Sequence, residues 1–433
     1  MSEPVRRHRR SSSTVRHGQL RRSSTAGVIA RFVAAVLAVV LVSGSAIAAY
    51  AVWDIASSVA PPVTLANETP GVSAPDIDAI EGGVNLLLVG SDSRQGQDAN
   101  LFGDPKKETA VLNDVTMLLH ISEDHSSATV VSFPRDMFVP IPACPKEDGG
   151  TYNAMSAQKI NTTLSYGGLA CTVLTVEKLT GLSIPFAAEV QFNGVIELST
   201  AVGGVDVCVA EPIADDYTQT YLDAGTHTLE GMSALQFLRT RHGVGDGSDL
   251  GRISNQQVFL SSLVRTLKSS ETLTNPSKLF GIAKAAASNM TLSTSLSNIN
   301  TMVSIAMAMK DIPLDQVVFA QYPTEYGDIN GYEGVLPLKG PAEELFDALS
   351  TDEPLSLSGE TGPGSVLDPN APENETQEPA QPSPTPEGTT PAPEDTTAPT
   401  TAPTTEASAP GVVLDKSVQG QTAGDYTCSK GNE

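Results

Sequence analysis

VNLLLV (84–89), VTMLLHI (115–121) and ATVVSF (128–133) are three apolar runs of strand length, each bounded by Gly, Asp or Pro. Strands with one wet face alternate apolar and polar residues; near-continuous apolarity marks strands covered on both faces. The three runs therefore predict the middle sheet of an α/β sandwich. Helical periodicity follows. TVLTVEKLTG (172–181) and GVIELSTAVGG (194–204) both exit on glycine, and GMSALQFL (231–238) has a similar face. Residues 249–268 predict a longer helix with Asp249 as N-cap and a stripe of Leu250, Ile253, Leu260, Leu263, Val264 and Leu267. Helical segments at 276–289 and 295–310 precede a late strand, QVVFA (316–320). The globular domain spans about 83–350, a usual single-domain size.

The ends differ in kind. Residues 1–31 carry eight arginines and one acid, whereas the remaining 402 residues carry 18 basic and 49 acidic side chains. An acidic body lacks the basic footprint of a nucleic-acid binder, so no nucleic acid is expected as a partner. The basic head directly precedes 22 uncharged residues, Phe32 to Trp53. That length crosses a hydrocarbon core, and Arg-rich flanks stay inside. Residues 32–53 are thus expected to be a transmembrane signal anchor in a cell membrane, with 1–31 a cytoplasmic head and everything from 54 onward extracytoplasmic. A cleaved signal peptide is the rival reading. Residues 54–82, rich in Pro, Ala and acids, predict an extracellular stalk. Residues 351–410 are dominated by Pro, Thr, Glu, Ser and Gly and predict a disordered linker, and 411–433 a tail bearing Cys428. The four cysteines, Cys144, Cys171, Cys208 and Cys428, are even in number and all outside. Two disulfides, Cys144–Cys171 and Cys208–Cys428, are the preferred pairing; isolated buried thiols are the alternative, since spacing does not set connectivity.

Beyond residue 31 the chain has six arginines, and Arg94, Arg135, Arg239, Arg241 and Arg252 fall inside short motifs. LLLVGSDSR (86–94) ends a strand with Asp92 and Arg94, and LNDVTMLLHI (112–121) opens one with Asp114. Two carboxylates from neighbouring strands suit magnesium, which takes one or two carboxylates, water and phosphate oxygens. VVSFPRDMFVPIP (130–142) supplies Arg135, and QKINTTLSYGG (158–168) supplies Lys159 and Asn161. In LEGMSALQFLRTRHGVGDGSDLGRISNQQ (229–257), Arg239 and Arg241 flank one residue, a glycine-rich loop offers N–H groups to an anion, and Arg252 and Gln256 share a helical face. Guanidinium forks match phosphate oxygens better than ammonium charges do. Singly each motif is ordinary: a turn, a cap, a surface ion pair. Together they describe a clamp for a metal-bound phosphate ester or pyrophosphate.

In this order the motifs, with VEKLTGL (176–182) and AVGGVDV (201–207), resemble the LytR–CpsA–Psr family of extracytoplasmic cell-wall phosphotransferases, and RTRHGVGDGSDLGRISNQQ resembles its actinobacterial members. The resemblance implies a three-layer α/β/α sandwich with a central mixed sheet and an apolar lipid groove. It implies transfer of a glycopolymer from a polyprenyl-pyrophosphate carrier to a peptidoglycan hydroxyl. Carried onto this chain, Asp92 and Asp114 would bind Mg²⁺ (or Mn²⁺), and the five arginines would hold the pyrophosphate. Lys159, Asn161 and Gln256 would support them, and Asp249 would orient the arginines or serve as base. A lipid pyrophosphatase using water and a non-catalytic lipid-phosphate-binding envelope regulator are the competing readings. The loop between Asp92 and Asp114 is long for the family.

Overall fold

The computed structural model describes residues 61–66, 80–371 and 411–432, apart from 108, 110, 147, 270 and 271, with a few positions between 29 and 43. Residues 1–57 and 58–433 form separate compact units. Most of the expected anchor at 32–53, the rest of the cytoplasmic head and most of the stalk lie outside the described residues. Positions 32–36 are helical, but among the described residues no helix is long and apolar enough to cross a membrane.

Eleven strands define the two larger sheets of the second unit. They are β1 (Val84–Ser91), β2 (Asn113–Ile121), β3 (Ala128–Phe133), β4 (Phe186–Val190), β5 (Val205–Val209) and β6 (Gly225–Leu229). Then follow β7 (Met290–Leu292), β8 (Val317–Gln321), β9 (Ser365–Leu367), β10 (Gly420–Thr422) and β11 (Thr427–Ser429). The principal helices are α1 (Thr163–Thr180), α2 (Phe192–Val202), α3 (Met232–Arg239), α4 (Asp249–Ser269), α5 (Pro276–Asn289), α6 (Ile299–Ala308) and α7 (Lys339–Ser350). The central sheet runs β7-β4-β1-β2-β3-β8-β10 and is mixed: β1/β4 and β3/β8 are parallel, the other pairs antiparallel.

Alternation along the strands assigns the two faces. Leu87, Val89, Leu118, Val131 and Val318 pack with Val173 and Val176 of α1 and Leu345 and Phe346 of α7. Leu86, Leu88, Leu119, Val130 and Phe319 pack with Leu260 of α4, Ala287 of α5 and Ile305 of α6. Both faces are covered, so the unit is the three-layer α/β/α sandwich that the apolar runs called for. In α1 the chain kinks at Gly167–Gly168. A Cβ on Gly167 would lie 2.7 Å from the Pro145 carbonyl and 3.0 Å from Cβ of Cys144, so glycine is what lets α1 meet the Cys144–Cys171 disulfide.

Three expectations change. Asp249 is the first helical residue of α4, and Ser248 caps instead, its Oγ accepting from the Gly251 N–H (3.2 Å). Part of the expected stalk is packed: Leu65 is buried in the core and the Val63 N–H donates to the Leu292 carbonyl (2.8 Å). Folded chain also continues beyond 350. Residues 351–371 are described, and 411–432 return to the domain, while 372–410 lie outside the described residues. β10 extends the central sheet, and β11 inserts between β5 and β9 in a second sheet ordered β6-β5-β11-β9. Cys428 faces Cys208 across this pairing and is bonded to it. The returning segment explains why α4 is buried well beyond its apolar stripe, with Asn255, Gln257 and Ser261 all inside. Ser429 donates to Asn255, and Gln421 Nε2 donates to the Gln257 carbonyl (3.1 Å) and Ser261 Oγ (2.6 Å).

The Cys208–Cys428 bond spans 220 residues, so opening it frees a long loop in the unfolded chain and loosens the cover of α4. Replacing both cysteines by alanine is expected to cost about 2–5 kcal/mol, measured by denaturant unfolding without reductant; unfolding at the wild-type midpoint would contradict this.

Candidate active site

Because β1 and β3 run one way and β2 the other, the ends of β1 and β3 and the start of β2 share one sheet edge. Asp92 and Arg94 leave β1, Asp114 opens β2, Arg135 leaves β3, and Phe192 follows β4. The long loop after Arg94 closes on Asp92 itself, whose Oδ1 accepts from the Leu112 N–H (2.7 Å) and whose N–H donates to the Leu112 carbonyl (3.1 Å). A helical turn, Ala99–Phe102, lies in that loop and sets Phe102 against Phe192 (5.2 Å between ring centres). Pro134 ends β3 and starts a turn, with the Met137 N–H on its carbonyl (3.0 Å).

Arg135 Nη1 donates to Asp114 Oδ1 (2.6 Å), and the Arg135 N–H donates to Asp249 Oδ2 (3.1 Å). Arg252 Nη2 lies 2.6 Å from Asp249 Oδ1 and donates to the Asp114 carbonyl (2.6 Å). Burial by itself would lower the affinity of Arg135 for its proton, but Asp114, Asp249 and Asp136 outweigh it and hold its pKa above the ordinary value. Arg252 is only 6% exposed.

Arg239 and Arg241 are placed differently. Among the described residues neither guanidinium has a carboxylate within ion-pair distance. Arg239 lies over the Phe192 ring (4.3 Å), as does Arg94 (5.4 Å). Arg94 Nε also donates to the Asp92 carbonyl (3.1 Å). Burial, then the charges of Arg94 and Arg252, hold Arg239 below its ordinary pKa. This is a cation concentration that an anion would relieve. Arg241 Nη2 donates to His242 Nε2 (3.1 Å), and the His242 ring packs on Tyr217 (4.6 Å). Their backbone hangs on Asp215, 1% exposed, which accepts from Thr240 Oγ1 (2.7 Å) and from the N–H groups of Arg241 (3.1 Å) and His242 (3.2 Å).

Arg135, Arg239, Arg241, Arg252, Asp114 and Gln256 line one cavity of about 320 Å³, completed by Leu88, Met117, Val190, Val195, Leu238 and Leu260. One end is cationic and the other aliphatic. Gln256 Nε2 donates to the Leu238 carbonyl (2.9 Å), joining α4 to α3. Asp92 and Arg94 stand beside this cavity. Lys159 does not line it; its Nζ pairs with Asp136 Oδ1 (2.9 Å) in a second cavity, whose lining includes Asp249. Asn161 is buried behind the strand, its N–H on the Arg135 carbonyl (3.2 Å), so it supports a backbone turn and does not line the cleft.

The glycine-rich loop departs from expectation. The Gly245 N–H donates to the Lys430 carbonyl (3.0 Å), the Gly247 N–H to Val244 (3.0 Å), and the Ser248 N–H to Asp246 (3.0 Å). The tail covers this loop, so guanidinium groups rather than loop amides present the anion-binding face. Sequence reasoning also missed Phe192, Asp215 and Tyr217. Asp215 sits in ADDYTQTY without a periodic signal, and Phe192 reads as one apolar residue among many.

Asp92 and Asp114 are the carboxylates at this edge from which a cation site would be built. Asp92 is raised above the usual carboxylate range, chiefly by burial, then lowered by the Leu112 N–H and raised again by the charge of Asp114. Both offer the hard oxygens that magnesium takes, but Asp92 Oδ1 accepts from the Leu112 N–H and Asp114 Oδ1 from Arg135 Nη1, so a cation would have to use the other oxygen of each.

These features define an α/β sandwich with a guanidinium-lined cleft at its sheet edge. The chain belongs to the LytR_cpsA_psr family, whose model matches residues 58–351. It is 31% identical over 289 residues to the cell wall biosynthesis protein LcpA of Corynebacterium glutamicum, covering 60% of this chain and 53% of that one. It thus spans about half the length of that relative. It is 27% identical over 247 residues to the polyisoprenyl-teichoic acid–peptidoglycan teichoic acid transferase TagT of Bacillus subtilis, covering 55% of this chain and 70% of that one. Protein gbs0355 of Streptococcus agalactiae, a solved structure, shares the fold at a TM-score of 0.51 with 19% identity, over 63% of this chain and 88% of that one.

Near the cleft, Glu189 on β4 is raised above its ordinary pKa by burial, partly offset by a hydrogen bond from Ser91. A raised acid disfavours the charged fold: its penalty is absent below the unfolded value of 4.5 and grows as pH rises through the folded value. Glu189→Gln is therefore expected to unfold like wild type at pH 4 and at higher denaturant at pH 7.5; urea titrations at the two pH values measure it.

Proposed function

We propose that this chain is a membrane-anchored, extracytoplasmic phosphotransferase. It moves a glycopolymer from a polyprenyl-pyrophosphate carrier to a peptidoglycan hydroxyl, leaving a phosphodiester. The observation that carries the reading is that Arg239 and Arg241, without carboxylate partners among the described residues, line one cleft together with Leu88, Met117, Val190, Val195, Leu238 and Leu260. A pyrophosphate fits the forks and a polyprenyl chain fits the aliphatic end. The relatives' names, one a cell wall biosynthesis protein and one a teichoic acid transferase onto peptidoglycan, support the same assignment.

In this reading Arg94, Arg239 and Arg241 hold the phosphate oxygens, and Arg135 and Arg252 complete the clamp from the carboxylate side. Asp92 and Asp114 would hold Mg²⁺, or Mn²⁺ in its place, and that ion would neutralise charge developing on the phosphoryl oxygens. The acceptor hydroxyl oxygen attacks the phosphorus attached to the glycopolymer. Its proton passes to a carboxylate, the P–O bond to the second phosphate breaks, and polyprenyl phosphate leaves. Asp249 is engaged by Arg135 and Arg252, which suits it to orienting them more than to taking the proton. Positioning and charge stabilisation supply most of such a transfer without a covalent enzyme intermediate.

Arg241→Ala is expected to lower transfer roughly a hundredfold, about 3 kcal/mol of barrier, while the protein stays folded. Arg252→Ala also abolishes transfer but loosens the site, because it leaves the largely buried Asp249 with Arg135 alone. The assay is glycopolymer covalently recovered on peptidoglycan from cells carrying each variant. Wild-type levels from Arg241→Ala would overturn the clamp, and release of free glycopolymer in place of linkage would favour hydrolysis by water.

A further inference from the structure

The second cavity, about 580 Å³, adjoins the aliphatic cleft at the Arg135–Asp249 contact, Arg135 lining the one and Asp249 the other. Its wall is a β-hairpin, Thr324–Ile329 with Tyr332–Pro337, turning at Asn330–Gly331, both at positive φ. That is the backbone of a tight type I′ turn. The hairpin is fixed at its base. The Val335 N–H donates to the Asp136 carbonyl (3.2 Å), and a Cβ on Gly334 would lie 2.5 Å from that same oxygen. Only glycine permits this approach, so the wall is held against the exit of β3.

The lining has a chemistry distinct from the first cavity. Asp136, Asp249, Asp328 and Glu333 face a single ammonium, Lys159, and the Tyr326 ring stands in the wall at 66% exposure. Asp136 and Asp249 are ion-paired with Lys159, Arg135 and Arg252, so the negative excess of this cavity comes from Asp328 and Glu333, and it disfavours a phosphate. They are, however, acceptors for several hydroxyl protons at once, and Lys159 is a donor. An exposed aromatic face beside converging acceptors suits a neutral, hydroxyl-rich ring that presents C–H to the tyrosine and O–H to the carboxylates. We infer that this cavity is a saccharide subsite, holding a sugar ring next to the phosphate clamp with Tyr326 as platform and Asp328 and Glu333 as hydroxyl acceptors. This deepens the transferase reading and rests on it for which saccharide is bound: a sugar of the acceptor strand, or the first sugars of the donor.

The test uses the full chain in detergent micelles and two probes, an uncharged oligosaccharide cut from peptidoglycan glycan strands and a neutral glycopolymer fragment without its lipid. Each is titrated calorimetrically onto wild type, Tyr326→Ala and Glu333→Gln, with thermal melting to verify the fold. Expected is saturable binding of at least one probe, weakened about threefold to tenfold by each substitution; the probe affected tells which substrate the subsite serves. Identical affinities in all three proteins for both probes, or no saturable binding of either to wild type, overturn the assignment. Inorganic pyrophosphate titrated onto Arg241→Ala reports the clamp independently, so failure there with saccharide binding intact separates the two readings.

Discussion

A closed ring of charge holds the sheet edge together. Asp249 accepts from the Arg135 N–H and pairs with Arg252, Arg252 reaches the Asp114 carbonyl, and the Asp114 side chain pairs back with Arg135. Its members come from the start of β2, the exit of β3 and the first turn of α4, segments far apart in sequence. Such a ring adds little net stability, because desolvation offsets the attraction between its charges. Removing one member is another matter, since it takes a partner from a largely buried charge without returning water to it. The ring is better understood as a registration device: α4 cannot slide along the sheet without breaking it. Arg239 and Gln256 sit where they do because α4 sits where it does.

What was legible in the sequence follows the range of the forces involved. The sheet strands and the long helices announce themselves through periodicity, because burial repeats every two or every 3.6 residues. The convergence of Arg135, Arg239, Arg241 and Arg252 was legible for a different reason. They stand at strand and helix ends, and an α/β sheet gathers such ends at one edge. β4 was not legible, since FAAEV is short and carries a glutamate at a buried position. The hairpin of Thr324–Ile329 and Tyr332–Pro337 did carry a signal, Asn330-Gly331 between strand-length segments, which was overlooked.

The glycine-rich loop shows why a local rule can fail although its physics is right. Free N–H groups ahead of a helix do attract anions. Here the Gly245 N–H is taken by Lys430 of the 22 residues that return beyond a Pro/Thr-rich stretch, those of Gly247 and Ser248 are taken inside the loop, and no local pattern in GVGDGSDLG indicates the returning chain. The same returning chain buries Asn255, Gln257 and Ser261, which read as a polar and therefore solvent-facing side of α4. Composition describes residues 372–410 and says nothing of where their flanks attach. The cysteines supplied a long-range clue: the preferred pairing of Cys428 with Cys208, which spacing did not set, is the bond the structure has.

The two cavities differ in sign, and the ring between them accounts for the difference. On the aliphatic side guanidinium groups outnumber carboxylates, with Arg239 and Arg241 turned to the cleft. On the hairpin side the order reverses, and Asp136, Asp328 and Glu333 face Lys159. Arg135 and Asp249 sit at the junction, Arg135 paired with Asp114 (2.6 Å) and Asp249 with Arg252 (2.6 Å), so neither adds an unpaired charge to either side. At distances of a few ångströms and reduced local dielectric, such a boundary separates an anionic ligand from a neutral polar one more sharply than shape alone would. A phosphate placed in the first cavity and a hydroxyl-bearing ring in the second would meet at this junction, where a carboxylate is already in position to orient the groups between them.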